Sequence, residues 1–285
     1  MLIAQITDTH ISTPGSRADR VFRTAEHLAR AVAHLNGLAR RPDLVLATGD
    51  LVESGGIDEY RRLREILAPL AMPVFPIPGN HDDRGNLAAA FSDHPHLPRN
   101  GDFLQYTVED WPLRLVALDT LIPGQSGGRL CAERLSWLEA RLAEAPGRPT
   151  VIFMHHPPFA TGMAAMDDMG LDGIDGLARV IRRHPQVERI ACGHLHRPIV
   201  RRFAGTVACT SPATAHQIAL DLPPARRLAT VMEPPACMLH LWLGEPEGLV
   251  SHVSLIGDRH PTLTHFDGQR WLRDAVPPPG FHPDR

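Results

Sequence analysis

Short apolar runs alternate along this chain with stretches in which apolar residues recur every three or four positions. Leu2 to Ile6 reads as a first strand. Val21, Ala25, Leu28, Val32 and Leu35 then form one helical stripe, which Pro42 ends because it lacks a backbone donor and clashes with the preceding turn. Leu44 to Ala47 predicts the next strand, Tyr60, Leu63, Leu67 and Leu70 the next helix, and Val74 to Ile77 a third strand between Pro73 and Pro78. That βαβαβ order implies parallel strands. Gly101 to Val108 and Leu113 to Leu118 are joined only across Glu109-Asp110-Trp111-Pro112, a hairpin that makes the sheet mixed. Leu135, Leu138 and Leu142 mark a helix, Val151 to Met154 a buried strand, Ile174, Leu177 and Ile181 a helix, and Ile190 to Cys192 a strand. The later runs, Ile199 to Phe203, Val207 to Cys209, Met238 to Leu243 and Val250 to Leu255, have no helices between them and read as a second sheet packed on the first. Pro277-Pro278-Pro279 belongs to an arm or frayed tail.

The 285 residues carry 29 basic and 32 acidic side chains, a formal charge of −3 with His neutral. Every basic residue is Arg. Without Lys, a Schiff-base amine and a phosphate-binding Gly-Lys-Ser/Thr loop are both excluded. The pairs Arg40-Arg41, Arg61-Arg62 and Arg182-Arg183 are dispersed among carboxylates, which fits solvated helix faces and argues against an extended nucleic-acid footprint. Cys131, Cys192, Cys209 and Cys237 show no Cys-x-x-Cys spacing and are expected to be reduced thiols. The first residues turn polar before a signal core could form, and Pro or charge breaks every apolar run well short of a membrane span of ~18 residues. The expectation is a soluble cytoplasmic protein with no membrane partner.

Metal-capable residues gather just past the ends of the expected strands: Asp8-Thr9-His10, Gly49-Asp50, Gly79-Asn80-His81-Asp82, His155-His156-Pro157-Pro158 and Gly193-His194-Leu195-His196. Strand ends at that edge of an open α/β sheet line the ligand crevice, so the five loops are expected to converge. Asp8 and His10, like His194 and His196, are two apart, and on an extended backbone such residues project to one side, so each pair could chelate. Carboxylate, imidazole and amide oxygen together suit Mn, Fe, Zn or Co better than a thiolate site would.

At these residues the chain resembles the calcineurin-like metallophosphoesterases, whose motif runs D-x-H, GD, GNH(D/E), H and GHxH in this order. The surrounding Ile6-Thr7-Asp8-Thr9-His10, Pro78-Gly79-Asn80-His81-Asp82-Asp83 and Met154-His155-His156-Pro157-Pro158 are similar to the bacterial branch that hydrolyses glycerophosphodiesters and cyclic nucleotides. The resemblance covers roughly residues 1–220. It implies an αββα fold, two mixed sheets packed as a sandwich with helices on the outer faces, with a catalytic domain over 1–220. Residues 221–285 would add C-terminal strands and a Pro-rich arm, packed on that domain or used in homo-oligomer contacts.

The resemblance further implies two divalent transition-metal ions, with Asp8, His10 and His196 on one, Asn80, His155 and His194 on the other, and Asp50 bridging. A hydroxide shared by the ions would attack a small phosphodiester in line. His81 is assigned to the phosphate and leaving oxygen rather than to a strained turn. Asp82 is expected to orient an imidazole, His156 to be either a structural His or a substrate contact, and His216 to match a His near the active site of the diesterase branch. Met163, Met166 and Met169, three apart, read as packing or as an apolar lip over the site. His27, His34, His94, His96, His184 and His240 read as solvated or locally capped.

Protein phosphatases of the superfamily carry an Arg where Gly49-Asp50-Leu51-Val52-Glu53-Ser54-Gly55 has Ser54, which weakens the rival reading as a phosphomonoesterase. A nuclease is disfavoured by the acidic balance. A non-catalytic scaffold is disfavoured because no ligand position is lost.

Overall fold

The computed structural model describes residues 1–223, 227–257, 263–266 and 268–276. In chain order its elements are β1 (Leu2–Ile6), α1 (Arg17–Phe22), α2 (Thr24–Asn36), β2 (Leu44–Thr48), α3 (Ile57–Leu67), β3 (Val74–Ile77), α4 (Arg84–Ala90), β4 (Tyr106–Val108), β5 (Arg114–Leu118), β6 (Gly128–Arg129) and α5 (Ala132–Ala143). There follow β7 (Thr150–Met154), α6 (Ala164–Asp167), β8 (Leu171–Asp172), α7 (Ile174–Arg183), β9 (Val187–Cys192), β10 (Val200–Phe203), β11 (Thr206–Thr210), β12 (Gln217–Ile218), β13 (Thr230–Val231), β14 (Ala236–Trp242), β15 (Leu249–Leu255), β16 (Thr264–Phe266) and β17 (Trp271–Val276).

Two mixed sheets hold the core, ordered β15-β14-β1-β2-β3 and β10-β11-β9-β7-β5-β4. Every residue of β1, β2, β5 and β7 is buried, the pattern of strands covered on both faces. Helix α2 buries Leu28, Ala31, Val32 and Leu35, the stripe the spacing predicts. α2, α3 and α4 pack in succession beside one another, while α5 packs on α7. The sheets meet at their centres, where the Gln5 amide donates to the Cys192 carbonyl at 2.8 Å and His155 Nδ1 lies 2.8 Å from the Thr48 carbonyl.

The four later strands do not form a sheet of their own. β11 runs parallel to β9 and carries β10 at the edge of one sheet, while β14 pairs antiparallel with β1, Leu2 opposite Leu241, and carries β15 at the edge of the other. An apolar run predicts a strand but not which strand it pairs with, and β1 and β14 lie more than 230 residues apart. The segment beyond residue 220 thus completes the sheet that bears the first three strand-end loops. β16 and β17 form a separate hairpin. The expected Pro-rich arm at 277–279 lies outside the described residues. No described helix is long and apolar enough to cross a membrane.

Candidate metal centre

β1, β2 and β3 are parallel in one sheet, and β7 and β9 are parallel in the other. Their C-terminal ends deliver Asp8 and His10, Asp50, Asn80, His155, and His194 and His196 to one place. Asp8, His10, Asp50, His155, His194 and His196 are all buried.

The backbone there is not extended. Asp8 (φ 50°), His10 (42°), Asp50 (47°), His194 (70°) and His196 (49°) are left-handed, and among the described non-glycine residues only Arg23 and Ala204 share that conformation. A side chain in this region costs about 1–3 kcal/mol, so the surrounding bonds must hold it. Asp8 N–H donates to the Gly49 carbonyl and His10 N–H to the Asp50 carbonyl, each at 3.0 Å, and His194 N–H donates to the Asp8 carboxylate at 3.1 Å. The spacing argument from extended backbone therefore fails in its geometry. Asp8 and His10 still converge, with Asp50, whereas His194 and His196 separate into different clusters, His194 with His155 and His156, His196 with His10 and His216. Gly79 is required by close approach, since a Cβ there would overlap the Asp50 carboxylate.

Each imidazole is oriented by an oxygen on one nitrogen. His10 Nδ1 lies 2.9 Å from Glu53 Oε2, and His10 Nε2 lies 3.3 Å from His196 Nε2 and 3.8 Å from Asp50. His196 Nδ1 donates to the His216 carbonyl at 2.9 Å, leaving Nε2 3.3 Å from Asp8. His155 Nδ1 donates to the Thr48 carbonyl, leaving Nε2 3.1 Å from Asn80 Oδ1 and 3.4 Å from Asp50 Oδ2. His194 Nε2 donates to the Met169 carbonyl at 3.1 Å, which leaves Nδ1 as its lone-pair nitrogen. Such oxygen partners fix the tautomer and ring angle that a metal ligand needs.

Burial pushes the Asp8 and Asp50 carboxyls up, but the imidazoles of His196 beside Asp8 and His155 beside Asp50 outweigh it and hold both well below the usual range. His155 is likewise opposed by burial yet raised by Asp50 to about 9. Burial pulls His194 down to about 4, with His155 adding to the effect, and pulls His216 down to about 2. The two buried carboxylates face imidazole nitrogens, and this mixed O/N set, with two of those nitrogens 3.3 Å apart, fits divalent cations.

The remaining expected site residues lie close by. His81 N–H donates to Asp50 Oδ1 at 2.8 Å, and His81 Nδ1 to the Glu53 carbonyl at 2.8 Å. The ring stands edge-on to His10, 4.7 Å between centroids. Asp82 differs from expectation. It orients backbone rather than an imidazole, accepting from the N–H groups of Gly79 (2.8 Å), Leu51 (3.1 Å) and Val52 (3.3 Å) and from the Tyr60 hydroxyl (2.8 Å). It therefore ties the Asp50 loop to the Asn80 loop, and burial raises its carboxyl to about 7. His156 has both nitrogens occupied, Nδ1 with the Thr120 hydroxyl at 2.8 Å and Nε2 with the Ser126 carbonyl at 3.1 Å, which favours its structural role. His216 stacks on Phe22, centroids 4.1 Å apart and planes 23° apart.

A cavity of about 330 Å³ opens over these groups, and no Arg lines it among the described residues. Met166 and Met169 reach it, whereas Met163 is in the core. Glu53, Phe22 and Ser126 also line it and were not legible beforehand. Glu53 carried one weak signal, its place three residues after Asp50 in the same block. His240, read as solvated or capped, is instead fully buried in β14, bonded to Gln5 at 3.0 Å and Ser251 at 2.7 Å.

Two mixed sheets whose converging strand ends carry five His/Asp/Asn loops define a metal-dependent phosphoesterase. The chain belongs to the calcineurin-like phosphoesterase family, whose sequence profile matches residues 1–198. It is 38% identical over 258 residues to a probable glycerophosphodiester phosphodiesterase, GpdQ, of Arcobacter nitrofigilis, covering 90% of this chain and 94% of that one. It is 36% identical over 286 residues to a probable cyclic nucleotide phosphodiesterase of Rhodopseudomonas palustris, covering 97% of each. A dimetal phosphatase from Danio rerio shares the fold, with a TM-score of 0.60 at 16% identity over 90% of this chain and 99% of that one. Family membership together with the His/Asp clusters makes this a divalent-metal site.

Proposed function

We propose that the chain hydrolyses small phosphodiesters, of the glycerophosphodiester or cyclic nucleotide type, with two transition-metal ions drawn from Fe, Mn, Zn and Co. Asp8, His10 and His196 would hold one ion, Asn80, His155 and His194 the other, and Asp50 both. The observation that carries this reading is the convergence of seven donors under a cavity that no Arg lines among the described residues. When bound, the ions supply Lewis acidity at the phosphoryl oxygens and a water acidified enough to attack near neutral pH.

The protein's own groups do the rest. His81 Nδ1–H donates a hydrogen bond to the Glu53 carbonyl, so Nε2 is the nitrogen left to face the leaving alkoxide. Burial opposes a charge on that imidazole, while Asp50, the Glu53 carbonyl and the Glu53 carboxylate together raise its pKa, and in its protonated form the ring can pass the Nε2 proton to the alkoxide. His156 holds Ser126 at the rim through its carbonyl. Phe22 keeps the His216 ring in place by stacking.

Diesters are favoured over monoesters because a singly charged phosphoryl group makes no demand for extra cationic side chains, and Glu53 at the wall would repel a dianion. The test is kcat/KM for p-nitrophenyl phosphate against its methyl diester. Faster turnover of the diester supports the reading, and a monoester preference overturns it.

Four free cysteines, three of them buried, are consistent with a cytoplasmic protein. A homo-oligomer through the C-terminal region is part of the same reading. Its support is the concentration there of exposed apolar side chains, Val253, Leu255, Phe266 and Trp271 among them.

A further inference from the structure

Glu53 stands outside the seven donors yet touches two of the site's imidazoles by different atoms. Its carboxylate Oε2 lies 2.9 Å from His10 Nδ1, and its main-chain carbonyl accepts from His81 Nδ1 at 2.8 Å. The backbone that presents both is itself pinned. Ile11 N–H donates to the Leu51 carbonyl and Glu53 N–H to the Ile11 carbonyl, each at 3.1 Å, beside the Ile11–Val52 bridge. The loop carrying Asp50 and Glu53 is thus stitched to the loop carrying Asp8 and His10.

We propose that Glu53 is a positioning residue that sets two rings at once, His10 through its side chain and His81 through its main chain. The proposal rests on the reading of His10 as a metal ligand. A carboxylate on Nδ1–H fixes the ring angle and makes the opposite nitrogen a better donor, so Nε2 is aimed at the space shared with His196 and Asp50. The same residue's carbonyl fixes the His81 tautomer without any side-chain atom. Removing the side chain therefore loosens His10 alone.

The experiment titrates metal-free full-length protein with cobalt(II), followed by visible absorption, for wild type, Glu53→Ala, Glu53→Gln and His10→Ala. Glu53→Ala is expected to weaken one of two binding events about 10–100-fold and leave the other unchanged. Glu53→Gln can still accept from Nδ1–H, and it should recover much of the loss. At saturating metal, the ratio of rates on alkyl and nitrophenyl diesters should stay at the wild-type value in both Glu53 variants, because the His81 contact is main-chain. If His10→Ala loses an ion while Glu53→Ala keeps both at wild-type affinity, the inference is overturned and the ligand assignment stands. If His10→Ala keeps both ions, the assignment fails and the inference with it. Equal loss of both ions in the Ala and Gln variants, with a lowered unfolding temperature of the metal-free protein, would make Glu53 a folding residue and also overturn it.

Discussion

His155 Nε2 lies 3.4 Å from Asp50 Oδ2 and 3.1 Å from Asn80 Oδ1, so the carboxylate at the end of β2 and the amide past β3 meet on one imidazole from the opposite sheet. Asp50 also reaches towards His10 at 3.8 Å and receives the His81 N–H, so it stands between His10, His155 and His81 at once.

That centrality sets an order among substitutions. Asn80→Ala, which removes a neutral donor near one cluster, should cost roughly 10–100-fold in activity, and Asp50→Ala should cost more and lower metal content further. Activity and metal content measured together on both variants check this. Equal small losses with metal content unchanged would mean that Asp50 is not the centre.

His81 lies beside His10 and Glu53 rather than in the clusters of His155 or His196, and its main-chain N–H and Nδ1 already donate to Asp50 and to the Glu53 carbonyl. His81→Ala should keep both metals. It should lose on the order of 100-fold on alkyl diesters, whose leaving alcohols need a proton, and much less on nitrophenyl diesters. Equal losses would reduce His81 to an electrostatic contact, and loss of an ion would make it a ligand.

The strand-end clusters were legible because carboxylates, imidazoles and a lone Asn stood where apolar runs stopped. What makes them converge was not. The left-handed residues Asp8, His10, Asp50, His194 and His196 are not themselves glycines, and although Gly49 and Gly193 precede two of them, they are held by bonds between loops far apart in sequence. Glu53 is one of 32 acidic residues, and nothing in its type separates it from a solvated one. Asp82 was found by its place in a motif, but its partners are the Tyr60 hydroxyl and three backbone amides, and no side-chain pattern encodes the amides. β14 was recognised as a strand, yet its position beside β1 decides that His240 is buried, and that pairing leaves no local trace.

His240 gives a pH dependence independent of the metal site. Burial lowers its pKa to about 3, with Arg189 adding to the effect, whereas an unfolded His titrates near 6.5. The folded state therefore resists the proton that the unfolded state takes up. Its stabilising contribution is complete above about pH 6.5 and is lost as pH falls towards 3. Between pH 7 and pH 5 the wild type should lose about 2 kcal/mol more stability than His240→Gln, by urea unfolding of the metal-free proteins. Parallel losses in the two proteins would remove this account of His240.

The central claim is that seven donors hold two divalent ions that hydrolysis requires. Metal analysis of the purified chain, paired with its rate on bis(p-nitrophenyl) phosphate before and after chelation, tests it most directly. The account predicts two ions per chain at saturation, loss of activity on chelation and recovery when a transition metal is restored. Full activity in the metal-free protein would contradict it.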